Sequence, residues 1–159
     1  MNGEIQNPNP VIKETRSRED WERRHGAPPL IDGREAIDAW EVFEHIRHVA
    51  DPEHPLTLEQ LDVVAPERIT VDDAGCRIVV QFTPTIPHCS MATLIGLCIR
   101  MKLSECVPSR FKVDVLVSPG SHASELDVNR QLNDKERVLA AVENESLSQV
   151  VSTCIRAKY

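Results

Sequence analysis

Residues 76–117 constrain the fold more than any other stretch. Apolar side chains alternate from Cys76 to Phe82, with Ile78, Val80 and Phe82 on one face, which predicts a half-buried strand. A loop holding Pro84 and Pro87 follows, and Ser90–Cys106 then reads as a helix. Only Thr93, Arg100 and Ser104 form a coherent polar strip there, so most of that helix must be buried. Pro108 ends it, and Phe111, Val113, Val115 and Val117 alternate as a further strand before the turn at Ser118-Pro119-Gly120. Strand, helix, strand in this order is a crossover unit with parallel strands and a right-handed connection.

The flanking segments extend it. Val63–Val71 is strand-like but contains Pro66, which cannot donate to a ladder, so an edge strand or a bulge is expected. Asp72-Asp73-Ala74-Gly75 supplies the turn of an antiparallel hairpin. Upstream, Arg34, Asp38, Glu41, His45 and His48 fall on one stripe, and Ile37, Trp40, Phe43, Ile46 and Val49 occupy the remainder. That pattern predicts an amphipathic helix of about 16 residues, stopped by Asp51-Pro52. Thr57-Leu58-Glu59-Gln60 has the form of a capping box. Near the C-terminus, Ser124 is a candidate helix cap, Asn133 with Glu136 marks another start, and Ser146–Ala157 forms a last helical segment. The sum is an α/β (α+β) fold, a small mixed three-stranded sheet with a strand–helix–strand crossover, covered by helices. Residues 1–33 are polar, carry Pro8, Pro10, Pro28 and Pro29, and hold Trp21 as their one sizeable apolar group. They are expected to form a disordered or loosely ordered tail before a single domain spanning residues 34–159.

Net charge and cysteine usage exclude several classes. A formal charge of −7 and pI near 5.4 argue against direct nucleic-acid binding, which needs a basic surface. No apolar run approaches the ~18 residues of a membrane span, and Met1–Pro10 has no secretory pattern. Five cysteines, at 76, 89, 98, 106 and 154, show neither CxxC nor zinc-finger spacing, which points to reduced thiols in the cytosol or nucleus.

Chemistry concentrates where the first crossover strand meets its helix. In Thr83-Pro84-Thr85-Ile86-Pro87-His88-Cys89-Ser90, Cys89 would sit at the helix cap or first turn. Unpaired N–H groups and the positive dipole end favour a thiolate there. His88 would lower the thiol pKa further when protonated, or ligate in its own right. The alternative is a half-buried capping cysteine beside a loop histidine. Gly120-Ser121-His122-Ala123-Ser124-Glu125 leaves the parallel strand and brings His122, with Glu125, to the same sheet edge. Cys89, His88 and His122 are metal ligands in type; a cysteine and a histidine equally suit a nucleophile–base pair, and a solvated loop is the simpler reading. Cys98 lies about half a revolution from Cys89 around the helix and reads as core, as do Cys106 and Cys154. One usable thiol per chain is too few for a closed site, because clusters and structural zinc usually take four protein ligands. Any metal role must be transient, shared between subunits or completed by a partner.

Four segments carry a resemblance: Asp51-Pro52-Glu53-His54-Pro55-Leu56-Thr57-Leu58-Glu59, Phe82–Leu97, His122-Ala123-Ser124-Glu125 and Asn133-Asp134-Lys135-Glu136-Arg137-Val138. In this order they resemble the eukaryotic cytosolic iron–sulfur assembly component two family, its B branch in particular. The likeness runs from about residue 40 to the end; the first 33 residues show no visible match. Cys98 stands where B-branch relatives have Ser, and Asn133-Asp134 is closer to the A branch. The resemblance implies a non-enzymatic adaptor of the cytosolic iron–sulfur targeting complex, found in cytoplasm and nucleus. It would work beside a WD-repeat propeller subunit and a HEAT-repeat adaptor, inserting clusters into apo-protein clients. It maps the reactive cysteine onto Cys89 and the motif histidines onto His88 and His122, and implies dimers, some domain-swapped. Competing readings are a pure scaffold, a zinc-binding dimer with ligands from both chains, and, more distantly, a thiol hydrolase.

Overall fold

The computed structural model describes residues 12–85 and 89–157, with the backbone alone at Cys89. Within them, a mixed sheet has the order β3-β4-β5, from Ile69–Asp72, Arg77–Phe82 and Lys112–Val117. β3 and β4 pair antiparallel through Ile69↔Val80 and Asp72↔Arg77. β4 and β5 pair parallel from Arg77↔Lys112 to Phe82↔Val117. The connection between them is α3, Cys89–Cys106, so the crossover unit is present as the alternation predicts. Pro66 does not sit inside a strand: it opens a 3-10 turn, Pro66–Arg68, and β3 starts after it at the sheet edge.

Ahead of the sheet lie α1 (Arg18–His25), a two-stranded hairpin of β1 (Leu30–Ile31) and β2 (Arg34–Glu35), and α2 (Ala39–Ile46). The helix expected from Arg34 onward is thus half the expected length. Asp32 and Gly33 both take positive φ, 51° and 79°, the combination that joins twisted strands through a two-residue turn. Arg34 and Glu35 are thereby drawn into β2, and Asp38 caps α2 by accepting from the Glu41 N–H at 2.9 Å. The capping box after it is reciprocal: Gln60 N–H donates to Thr57 Oγ1 at 3.2 Å, and Thr57 N–H to Gln60 Oε1 at 3.0 Å.

The expectation that order begins near Arg34 is corrected. One core cluster runs from Trp21 to Ile155. Trp21 is buried, stacks on His25 at 3.7 Å and lies 6.2 Å from Trp40. Arg16 N–H donates to Glu59 Oε2 at 2.8 Å, and Arg47 donates to the Arg16 carbonyl at 2.7 Å. A large aromatic side chain, a backbone tie to a buried ion pair, and bonds from Lys13 N–H to the Gln60 carbonyl and from Arg16 to Asp62 hold a polar segment whose composition alone reads as a tail.

After the sheet come α4 (Glu125–Asn133), α5 (Lys135–Glu143) and α6 (Glu145–Ile155), making six helices among the described residues. α5 is capped by Asp134, which accepts from the Glu136 and Arg137 N–H groups. Asn133, expected to mark that start, instead lies along β5. It accepts from Val115 N–H at 3.1 Å and donates to the Val115 carbonyl at 2.9 Å, while Asn129 accepts from Val117 N–H at 2.6 Å. These two asparagines, one helical turn apart, cover the free edge of β5. α4 comes close enough because position 96 on α3 is glycine: a Cβ there would lie 2.3 Å from Leu132 Cδ1. No described helix is long and apolar enough to cross a membrane.

Candidate functional site

Parallel pairing puts the carboxyl ends of β4 and β5 side by side, and the loops leaving them are tied together. Ser118 N–H donates to the Phe82 carbonyl at 2.8 Å, and Thr83 Oγ1 bonds Ser118 Oγ at 3.1 Å. Thr83 N–H donates to the Val63 carbonyl at 2.9 Å, which fixes the exit from β4. From this edge the chain enters α3 with Cys89 as its first residue. Backbone N–H groups of a first helical turn have no partner within the helix and face an incoming anion. His88 lies outside the described residues.

The loop from β5 to α4 closes on itself. Ser121 N–H and Oγ both donate to the Ser118 carbonyl, at 3.0 and 2.6 Å. Gly120, at φ 76°, donates its N–H to Glu125 Oε1 at 3.1 Å. Glu125 therefore holds the loop in shape. Ser124 stands at the helix cap without a side-chain cap bond, and its N–H donates to His122 Nδ1 at 3.0 Å. His122 is buried, 8% exposed, and its Nε2 has no hydrogen-bond partner among the described residues. Thr85 Oγ1, on the β4 side, is also buried and unpartnered there. The structure thus brings His122 and Glu125 to the edge where α3 begins. It gives the carboxylate a structural task and leaves His122 Nε2 without a hydrogen-bond partner among the described residues.

The remaining thiols have other surroundings. Cys98 and Cys154 are free thiols buried together, α3 against α6, and the hydrogen bond between them, with burial, pushes the Cys98 thiol up from its usual range. This is the packing role expected of Cys98. Cys76 is half-buried and accepts from Arg110 at 3.1 Å. No three His, Cys, Asp or Glu side chains among the described residues converge to hold a metal ion.

Two charged clusters escaped the sequence pattern. Asp73, in the β3–β4 turn, is buried and takes hydrogen bonds from Arg34 at 2.7 and 3.1 Å, from Ile37 N–H at 2.8 Å and from Arg110 at 3.2 Å. The Arg34 bond is the main reason its carboxyl lies well below the usual carboxylate range, with Ile37 N–H and Arg110 adding to it. Arg47 and Glu59 form a buried ion pair. Neither cluster has a short-range signature, since the partners lie 12 to 39 positions apart. At the Asp51–Pro55 corner, Asp51 accepts from the Glu53 and His54 N–H groups at 2.8 and 3.1 Å, so His54 belongs to a turn built by Asp51.

Comparison with known proteins adds what geometry lacks. Residues 40–117 match the profile of a family described as iron–sulfur cluster assembly protein. The chain is 52% identical over 162 residues to cytosolic iron-sulfur assembly component 2B of Mus musculus, covering 98% of this chain and 94% of the mouse protein. It is 49% identical over 158 residues to cytosolic iron-sulfur assembly component 2B of Dictyostelium discoideum, covering 94% and 97%. It is 58% identical over 122 residues to MIP18 family protein galla-2 of Drosophila melanogaster, covering 77% and 78%. With the mouse protein the alignment takes in nearly all of the first 33 residues, which the four motif segments leave unmatched. At such identity over nearly full lengths, the chain belongs to the cytosolic iron–sulfur assembly component 2 family.

Proposed function

We propose that this chain takes part in cytosolic iron–sulfur assembly as an adaptor without turnover of its own, helping to insert clusters into apo-protein clients through Cys89. The observation that carries the reading is that α3 begins at Cys89 on the sheet edge where the buried His122 also lies. The names of its relatives support an assembly role in the cytosol. A lone activated thiol at a helix N-terminus accepts or steadies a cluster but cannot close its coordination, which usually takes four cysteines. Incomplete ligation suits a donor, because release has to follow capture. The WD-repeat propeller and HEAT-repeat adaptor would then supply client recognition, in cytoplasm and nucleus, and a homodimer would offer one way for two chains to share a cluster.

Anaerobic reconstitution with ferrous iron and sulfide tests this, comparing wild type with Cys89→Ala, alone and with the propeller subunit. A cluster that forms only when Cys89 is present and moves to an apo-client is the expected result. Equal loading and client maturation in Cys89→Ala would refute the role of the thiol. No cluster under any condition, with partner binding intact, would leave a bridging scaffold.

A further inference from the structure

We propose that Cys98 and Cys154 form a modification site of their own, a dithiol that a hydroperoxide converts into a disulfide tying α3 to α6. This site is independent of the role given to Cys89. Both residues are free thiols in the core, 1% and 5% exposed, one on each of two helices packed together. Their side chains share a hydrogen bond, so the two sulfurs are already neighbours. A sulfur–sulfur bond of about 2.05 Å then needs an approach on the scale of a side-chain rotation. The backbone at Cys154 is anchored, because its carbonyl accepts from Ala50 N–H at 3.0 Å. The same two sulfurs do not make a metal centre, since no third His, Cys, Asp or Glu among the described residues converges with them to hold an ion. Cys76, by contrast, has Arg110 against its sulfur in place of a second thiol.

The pair is polarised. Cys98 S–H donates to Cys154 Sγ; this bond holds the Cys154 thiol below its usual range and, with burial adding to it, pushes Cys98 above. Burial and the negative charge of Asp51 work against a thiolate at Cys154, and the bond from Cys98 outweighs both. Cys154 is therefore the sulfur that ionises first and attacks, while Cys98 keeps its proton and resolves. Cys154 also lies in the last turn of α6, and helix ends open locally at little cost, which gives a small peroxide its way in. The Cys154 thiolate attacks one peroxide oxygen and the O–O bond breaks. Its sulfur is oxidised by two electrons to a sulfenic acid, and the other oxygen leaves as water or an alcohol with the proton that Cys154 gave up. Cys98 sulfur then attacks the sulfenic sulfur. The S–O bond breaks as the S–S bond forms, and the hydroxyl departs as water with the Cys98 proton. The bridge closes a ring of chain that contains β5, α4 and α5, and fixes α6 to the helix that begins at Cys89.

Peptide mapping tests the site. The full chain, as wild type and as Cys89→Ala, is treated with hydrogen peroxide while folded, quenched with catalase, denatured, alkylated with iodoacetamide and digested without reductant. Both chains should yield a peptide pair joining Cys98 to Cys154, two hydrogens lighter than its reduced parts, with loss of the alkylated form of each residue. Dithiothreitol should restore both alkylated forms. Dimedone then assigns the roles: Cys98→Ala should accumulate a labelled sulfenic acid at Cys154, and Cys154→Ala should leave Cys98 unlabelled. The wild-type map decides the bridge whether or not either variant folds. Cys98 and Cys154 left unbridged by peroxide, a bridge from either of them to Cys89 or to a second chain, a bridge that disappears in Cys89→Ala, or a dimedone label on Cys98 in place of Cys154 would each overturn the proposal.

Discussion

Replacing Arg47 by Met should destabilise the fold more than any surface change, while replacing its partner as well should restore most of the loss. Arg47 is 8% exposed and Glu59 1%. Two bonds of 3.0 Å join them, from Nε to Oε1 and from Nη2 to Oε2, and a third donor to Glu59 is Arg16 N–H. The guanidinium also lies over the rings of Phe43 and Trp40, at 4.9 and 5.3 Å. Arg47→Met keeps most of the apolar contact with these rings but leaves a buried carboxylate with one described donor of three. Breaking a buried pair from one side costs about 3–5 kcal/mol. At ~2–4 °C per kcal/mol for a chain of this size, Tm should fall by roughly 6–20 °C. Arg47→Met with Glu59→Leu removes both charges and should cost less than either single change. Urea unfolding of the full chain, followed by circular dichroism and by fluorescence of Trp21 and Trp40, measures all three variants. A single Met variant within about 1 kcal/mol of wild type, or a double variant as unstable as the two singles summed, would refute the reasoning.

Two further predictions test what else holds the frame. Because the folded-state pKa of Asp73 is depressed, its contribution is fully present above about pH 4 and is lost as pH falls toward the folded value. Asp73→Asn should therefore unfold at lower urea than wild type at pH 7, with the gap closing in acid; a gap independent of pH would show that the Arg34 bond is not its source. Asn133→Ala removes the two bonds to Val115 and should cost about 1–3 kcal/mol. Amide exchange at Val115 should accelerate with it, and unchanged protection there would mean that α4 does not seal the β5 edge.

Local pattern and short-range chemistry were enough to read the crossover, the turn after β3, the capping box and the buried face of α3. Alternation, proline and capping act within one or two turns of chain, so Ile78–Phe82, Pro108 and Thr57–Gln60 carry their structure with them wherever they are placed. The same holds for Cys89 as a first-turn residue, because the prolines of the preceding loop and the apolar run after it mark the helix start locally. Asp32-Gly33 is an equally local turn signal, and by drawing Arg34 and Glu35 into β2 it shortens α2 against the length that the apolar stripe predicts.

What only the tertiary structure decided are the pairings whose members the topology brings from afar. Asp73 meets Arg34 and Arg110 across 39 and 37 positions, Arg47 meets Arg16 across 31, and Asn133 meets Val115 across 18. None of these residues carries a mark of its partner, because a charge or an amide is compatible with solvent until packing removes the water. His122 shows the division most sharply. Its residue type and its place after β5 were legible from the chain, and the partner of its Nδ1 was not. That partner is the Ser124 N–H, which meets the ring only once the loop has closed.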